Sequence, residues 1–91
     1  MKYSALQIKV FGHVQGVYFR ASTQEKAQAL RLKGTVQNLP DRSVLKQVYG
    51  PDEQINSLTK WLYIGPPLAR VDRLEITPIE YVELPDFKII R

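Results

Sequence analysis

Gly12 to Arg20 reads GHVQGVYFR, a glycine-containing loop set between two regular segments. Before it, Leu6, Ile8 and Val10 alternate with Gln7, Lys9 and Phe11, the period of a strand with one buried face. After it, Ser22 followed by Glu25 matches a capping box. Ala27, Ala29 and Leu30 continue at helical positions, and Gly34 offers a stop, so a helix is predicted from about Ser22 to Lys33. Arg20 then falls where the helix begins. A helix start carries partial positive charge, and a cation there costs roughly 0.3–1 kcal/mol unless an anion lies between them. The first acidic residue in the chain is Glu25, too late to serve as an obvious partner. The expected partner is an anionic ligand.

The chain has 91 residues, enough for one hydrophobic core, and a single domain over 1–91 is expected. Apolar residues at 44% and charged residues at 24%, both spread along the chain, indicate a folded globule and not a disordered segment. No cysteine and one histidine exclude a disulfide framework, a thiolate nucleophile and a Cys/His zinc site. Gln7 and Lys9 break the start MKYSALQIKV, which therefore resembles neither a signal peptide nor a membrane span, and a cytoplasmic location is expected. Charge is uneven. Residues 1–46 hold eight Lys or Arg against Glu25 and Asp41, a balance of +6, whereas residues 47–91 hold five against seven, a balance of −2. The basic half carries the glycine loop, and its field suits a small anion or, less specifically, nucleic acid.

Downstream, Thr35–Leu39 and Val44–Tyr49 read as strands joined by the polar turn Pro40–Ser43, a hairpin. Lys46 shares a face with Val44 and Val48, so that face is either interrupted or ends near a rim where the ammonium reaches water. Gly50, Pro51, Asp52 and Glu53 announce a second helix. Its Ile55, Leu58, Trp61 and Leu62 form an apolar stripe, with Trp61 assigned to packing, and Gly65, Pro66 and Pro67 end it. A strand follows at Val71–Thr77, assigned to a sheet edge by Pro78, then a short one at Phe87–Ile90. The order βαββαβ plus a short fifth strand predicts an α+β, ferredoxin-like split βαβ sandwich, with two helices on one face of an antiparallel sheet ordered 4-1-3-2. In that plan strands one and two run the same way with strand three between them. At about 4.8 Å per strand spacing, the glycine loop and Asn38 come within roughly 10 Å, room for a phosphate and a water.

Glycines at 12 and 16 let successive N–H groups point inward around one anion, the following helix adds its free N–H groups, and Arg20 adds a planar fork for two phosphate oxygens. The plain alternative is an ordinary strand-to-helix turn with an incidental arginine. No GK[ST] follows, so this is no Walker motif. Among neighbouring residues, His13 is a possible general base but reads as an exposed loop residue without a carboxylate to orient it. Ser22 reads as a helix cap, Gln15 as a loop residue shaping the anion site or simply solvated, Phe19 as core under the loop and Tyr18 as a partly exposed wall.

GHVQGVYFR resembles the signature loop of the acylphosphatases, a glycine, a variable residue, VQGV, a variable residue and FR. Gly34, Val36, Asn38, Asp41 and Val44 match the spacing of that family's second motif, and Gly50–Pro51, Gly65–Pro67 and Ala69–Asp72 extend the likeness over nearly the whole chain. The resemblance implies a metal-free hydrolase of carboxylic-phosphoric anhydrides without a cofactor. Arg20 would bind phosphate with the loop Gln15, Gly16, Val17, Tyr18, Phe19 and Arg20, and Asn38 would position water. Its partners would be a small acyl phosphate and inorganic phosphate, as product and competing ligand, with a monomer and no nucleic acid or membrane expected. Three residues depart from the pattern: Arg42 where glycine usually follows the aspartate, His13 at a variable position that often holds a basic residue, and Lys46 where the family tends to have something small.

The chemistry agrees with this assignment. A carboxylate leaves readily, so departure needs neither a general acid nor a metal. A loose phosphoryl-transfer transition state asks for stabilised equatorial oxygens and an aligned nucleophile. Two other classes share the element order. An RNA-recognition module needs stacking aromatics on strands one and three, where this chain offers only Phe11 and Tyr49. A non-catalytic sensor of phosphate or carbamoyl phosphate, akin to the acylphosphatase-like domains within larger maturation enzymes, would keep the anion site without turnover.

Overall fold

In the computed structural model, which describes residues 2–16 and 19–90, the chain runs β1 (Tyr3–His13), α1 (Phe19–Ala29), β2 (Lys33–Asn38), β3 (Val44–Pro51), α2 (Asp52–Ile64), β4 (Arg70–Pro78) and β5 (Phe87–Ile90). The sheet order is β4-β1-β3-β2-β5. The ferredoxin-like plan and its 4-1-3-2 core are present, and the fifth strand extends the sheet by pairing parallel to β2. β3 is antiparallel to both β1 and β2, so those two run in the same direction. Val44 pairs with Val10 on one side and Asn38 on the other, which brings the ends of β1 and β2 to one edge. β4 pairs with β1 alone and is an edge strand, as its closing Pro78 requires.

Alternation decides which face is covered. Ile8, Val10, Val36, Val44 and Val48 point to the helices and meet Phe19 and Ala27 of α1 and Ile55, Leu58 and Leu62 of α2 in one buried core. Each fully buried Leu or Ile side chain contributes about 1.5–3 kcal/mol. Trp61 is half-buried and packs edge-on against Phe19, ring centres 6.0 Å apart. On the opposite face Tyr81 packs edge-on against Tyr3 and Tyr49.

Three sequence expectations need correction. α1 starts at Phe19, not Ser22, so Ser22 lies inside the helix and is no cap. The helix is phased by Phe19, Thr23 and Ala27, which face the sheet at four-residue intervals, while Ala29 is exposed. Its stop is also earlier than Gly34. Arg31 adopts φ 60°, the Leu32 N–H bonds to the Ala27 carbonyl at 2.8 Å, and the Arg31 N–H bonds to the Gln28 carbonyl at 3.0 Å, the paired closure of a Schellman end. Thirdly, Lys46 reaches no rim. The inward face of β3 runs on to Val48, and Lys46 is 0% exposed within it. β1 begins three residues before Leu6, the remaining boundaries shift by at most two residues, and Pro51 precedes α2 as its N-cap.

The β2–β3 connection is a three-residue hairpin loop, a turn followed by one left-handed residue. The Leu39 N–H bonds to the Ser43 carbonyl, the Arg42 N–H bonds to the Leu39 carbonyl, and Arg42 holds φ 72°. Asp41 locks the loop. One carboxylate oxygen accepts from both the Ser43 hydroxyl and its N–H, and the other pairs with Lys9 at 2.9 Å. Hydrogen bonds from the Ser43 hydroxyl first, then Lys9 and the Ser43 amide, hold the Asp41 carboxyl well below the usual carboxylate range.

Two predictions follow from this loop. Arg42→Gly relieves the left-handed conformation of a side-chain-bearing residue and is expected to stabilise the fold by about 0.5–1 kcal/mol, net of the added freedom of the unfolded chain; urea unfolding checks it. A carboxyl with a depressed folded pKa stabilises the fold above its unfolded value, near 3.8, and loses that contribution as pH falls through the folded value. Asp41→Asn is therefore expected to lower the thermal midpoint at neutral pH and to flatten its fall below pH 4.

Candidate functional site

The end of β1 is shaped by close approach. β1 and β4 shift register between Phe11 and Gly12, so Phe11 pairs with Arg73 and Gly12 with Val71, leaving Asp72 as an extra residue. At Gly12, with φ 135°, a Cβ would stand 2.1 Å from the Arg70 carbonyl oxygen, which only glycine avoids. Val14 then turns into the core, and Gly16 takes φ 74° with open space around it, so the backbone conformation rather than packing requires glycine there. Phe19 and Arg20 are the first two residues of α1.

A cavity of about 460 Å³ opens at this edge, lined by Val14, Gly16, Phe19, Arg20, Ala21, Asn38 and Ile89. The two residues expected to carry chemistry thus meet. Arg20 comes from the N-terminus of α1 and Asn38 from the last position of β2, while β5 supplies the Ile89 wall. Among the described residues Arg20 makes no ion pair and no side-chain hydrogen bond, and the Asn38 Oδ1 is buried with no partner. A cation on a positive helix end and a buried amide oxygen without a donor are two costs at one place. An anion accompanied by a hydrogen-bond donor offsets both.

Gln15 acts across the loop. Its amide donates to the Leu39 carbonyl at 2.8 Å and the Ser43 carbonyl at 2.9 Å, tying the glycine loop to the β2–β3 hairpin immediately after Asn38. The sequence offered a loop residue but no sign of this destination, because both acceptors are backbone atoms more than twenty positions away. Phe19 is 1% exposed, and its ring serves both core and cavity wall. His13 is exposed at the end of β1 and does not line the cavity. Val17 and Tyr18, assigned to the loop on sequence, lie outside the described residues.

Among the described residues no three of His, Cys, Asp and Glu come together as a metal-binding group, and no helix is long and apolar enough to cross a membrane.

Comparison with known proteins identifies the scaffold. The acylphosphatase family model matches residues 6–89. An acylphosphatase of Thermococcus kodakarensis is 40% identical over 90 residues, covering 99% of each chain, and one of Nitrosococcus oceani is 44% identical over 80 residues, covering 88% of this chain and 90% of the relative. The solved acylphosphatase structure from Coxiella burnetii superposes with a TM-score of 0.93 at 36% identity, covering 97% of this chain and 93% of that one. With the family pattern spanning nearly the whole sequence and the same fold beneath it, the chain belongs to the acylphosphatase family.

Proposed function

We propose that the cavity binds the phosphoryl group of a small acyl phosphate and hydrolyses it to a carboxylate and inorganic phosphate, with Arg20 and Asn38 as the catalytic residues. The observation that carries this assignment is that Arg20 and Asn38, from separate elements, line one cavity with their polar ends unengaged among the described residues. The Arg20 guanidinium takes two phosphate oxygens as a fork. The free N–H groups of the first turn of α1 take the same oxygens, and the helix dipole adds to them. The cost of placing Arg20 at a positive helix end is reversed when a dianion lies between them.

The Asn38 Oδ1 accepts a hydrogen bond from the attacking water, leaving a lone pair of that water directed at phosphorus. The new P–O bond forms as the bond between phosphorus and the acyl oxygen breaks, and the electron pair departs with the carboxylate. The proton of the water passes to a phosphoryl oxygen, giving dihydrogen phosphate. No residue has to act as a strong base, and no metal or cofactor is required for the leaving group. Inorganic phosphate occupies the same cradle and competes with substrate. The protein acts as a monomer on a small molecule, and the cytoplasm supplies charged phosphate metabolites that do not cross a bilayer unaided.

Hydrolysis of benzoyl phosphate tests the assignment. Turnover undiminished by EDTA is expected, and folded protein without turnover overturns it. Asn38→Ala is expected to lower kcat by about 10²–10³-fold while inorganic phosphate still binds. Equal loss of phosphate binding, measured by calorimetry, would refute the division of roles between Asn38 and Arg20.

A further inference from the structure

Behind the cavity wall lies an ionisable side chain that neither the core nor the proposed hydrolysis employs. Lys46 stands on the central strand β3, its Cα paired with Ile8 of β1 and Val36 of β2. It is fully buried, its Nζ has no hydrogen-bond partner, and that nitrogen lies 4.3 Å from the centre of the Phe19 ring. Phe19 in turn lines the cavity beside Arg20. A ring face attracts an ammonium but replaces its hydration poorly, and burial pushes the Lys46 pKa well below the ordinary 10.5.

The surroundings of Lys46 contain no carboxylate among the described residues. Flanking it on β3 are Val44 and Val48. The inward residues of β1 are Leu6, Ile8 and Val10, and those of β2 are Gly34, Val36 and Asn38. α1 presents Phe19, Thr23 and Ala27, and α2 presents Ile55, Leu58 and Leu62. Asp52 is at the opposite end of α2, beside Lys2. Among the described residues the charged side chain lining the cavity is Arg20, of the same sign. An uncompensated amine next to an anion site therefore has one candidate counter-charge, the bound anion.

We propose that Lys46 is a buried, proton-linked counter-charge of the phosphoryl site, neutral when the cavity is empty and protonated when a dianion occupies it. The coupling rests on the phosphoryl-binding role proposed above. The amine stands 4.3 Å from the ring centre; for an anion on the far side, about 8–10 Å from the amine, an effective dielectric of about 20 lets a dianion raise the proton affinity of the amine by about 300–1000-fold. By reciprocity, protonation of Lys46 raises anion affinity by the same factor. The proton comes from the buffer and returns to it when the anion leaves.

Sulfate is the appropriate probe, because it stays a dianion from pH 5 to 9 and takes up no proton itself. Calorimetry of sulfate binding in two buffers of different ionisation enthalpy is expected to show net proton uptake near neutral pH. The wild-type sulfate affinity should fall as pH rises, whereas Lys46→Met should bind sulfate without uptake and with a flat pH profile. His13→Gln should retain the uptake. Sulfate binding without uptake in the wild type, or full uptake in Lys46→Met, overturns the coupling while leaving the phosphoryl site intact. Sulfate and inorganic phosphate both failing to bind would overturn the site itself. The wild type alone provides a second readout: the ¹⁵Nζ resonance of Lys46 should move from the amine to the ammonium position on adding sulfate at neutral pH, and an unmoved resonance refutes the proposal.

Discussion

The site depends on a single row of the sheet, Val10–Val44–Asn38. Because β3 is antiparallel to both neighbours, β1 and β2 finish on the same edge, and whatever follows Val10 faces whatever stands at Asn38. The glycine loop follows Val10, and α1 begins at its end. A strand spacing near 4.8 Å then sets the span of the cavity. Gln15 secures this arrangement with two hydrogen bonds from the loop to the hairpin, so the two halves of the site are tied to each other as well as to the sheet.

The groups of the site that find no partner within the protein also define what it takes. Arg20 lies at a positive helix end, the Asn38 Oδ1 is buried without a donor, and the Lys46 Nζ is buried behind Phe19. Elsewhere the charges are conventional: Lys9 with Asp41, Arg70 with Asp72 and Arg73 with Glu75 are exposed or half-exposed pairs of small energetic weight. Arg20, the Asn38 Oδ1 and the Lys46 Nζ thus form one group of unmet polar atoms that an anion relieves, separate from the buried Asp52 Oδ1 at the start of α2.

The parts of this organisation that depend on period and spacing could be read from the chain. Leu6, Ile8 and Val10 gave β1, Ile55, Leu58 and Leu62 gave α2, and the element order gave the sheet plan and the meeting of Arg20 with Asn38. The start and end of α1 could not be read, because Ser22 and Glu25 imitate a capping box and because Arg31 takes a conformation usually left to glycine. Arg42 does the same at the hairpin. Both are stabilised by backbone hydrogen bonds that a residue list does not contain. Lys46 stands out in the chain as a cation on an apolar face, but its depth is set by β1 and β2 on either side and by α1 above it, and its contact with the cavity wall is a property of the packed whole.

The strand order also bears on how the protein reaches this state. Only β2 and β3 are joined by a hairpin; the nearest pairing between β1 and β3, Val10 with Val44, spans 34 positions, Gly34 with Phe87 spans 53, and His13 with Arg70 spans 57. Closing such loops precedes any reward from the contacts they bring, which slows folding relative to a helical bundle of similar length. The cavity draws on α1, β2 and β5 together, so its walls are assembled only after the most distant segments have docked. In a refolding experiment, ligand-binding competence is consequently a late marker, trailing the gain of helix and of the local hairpin.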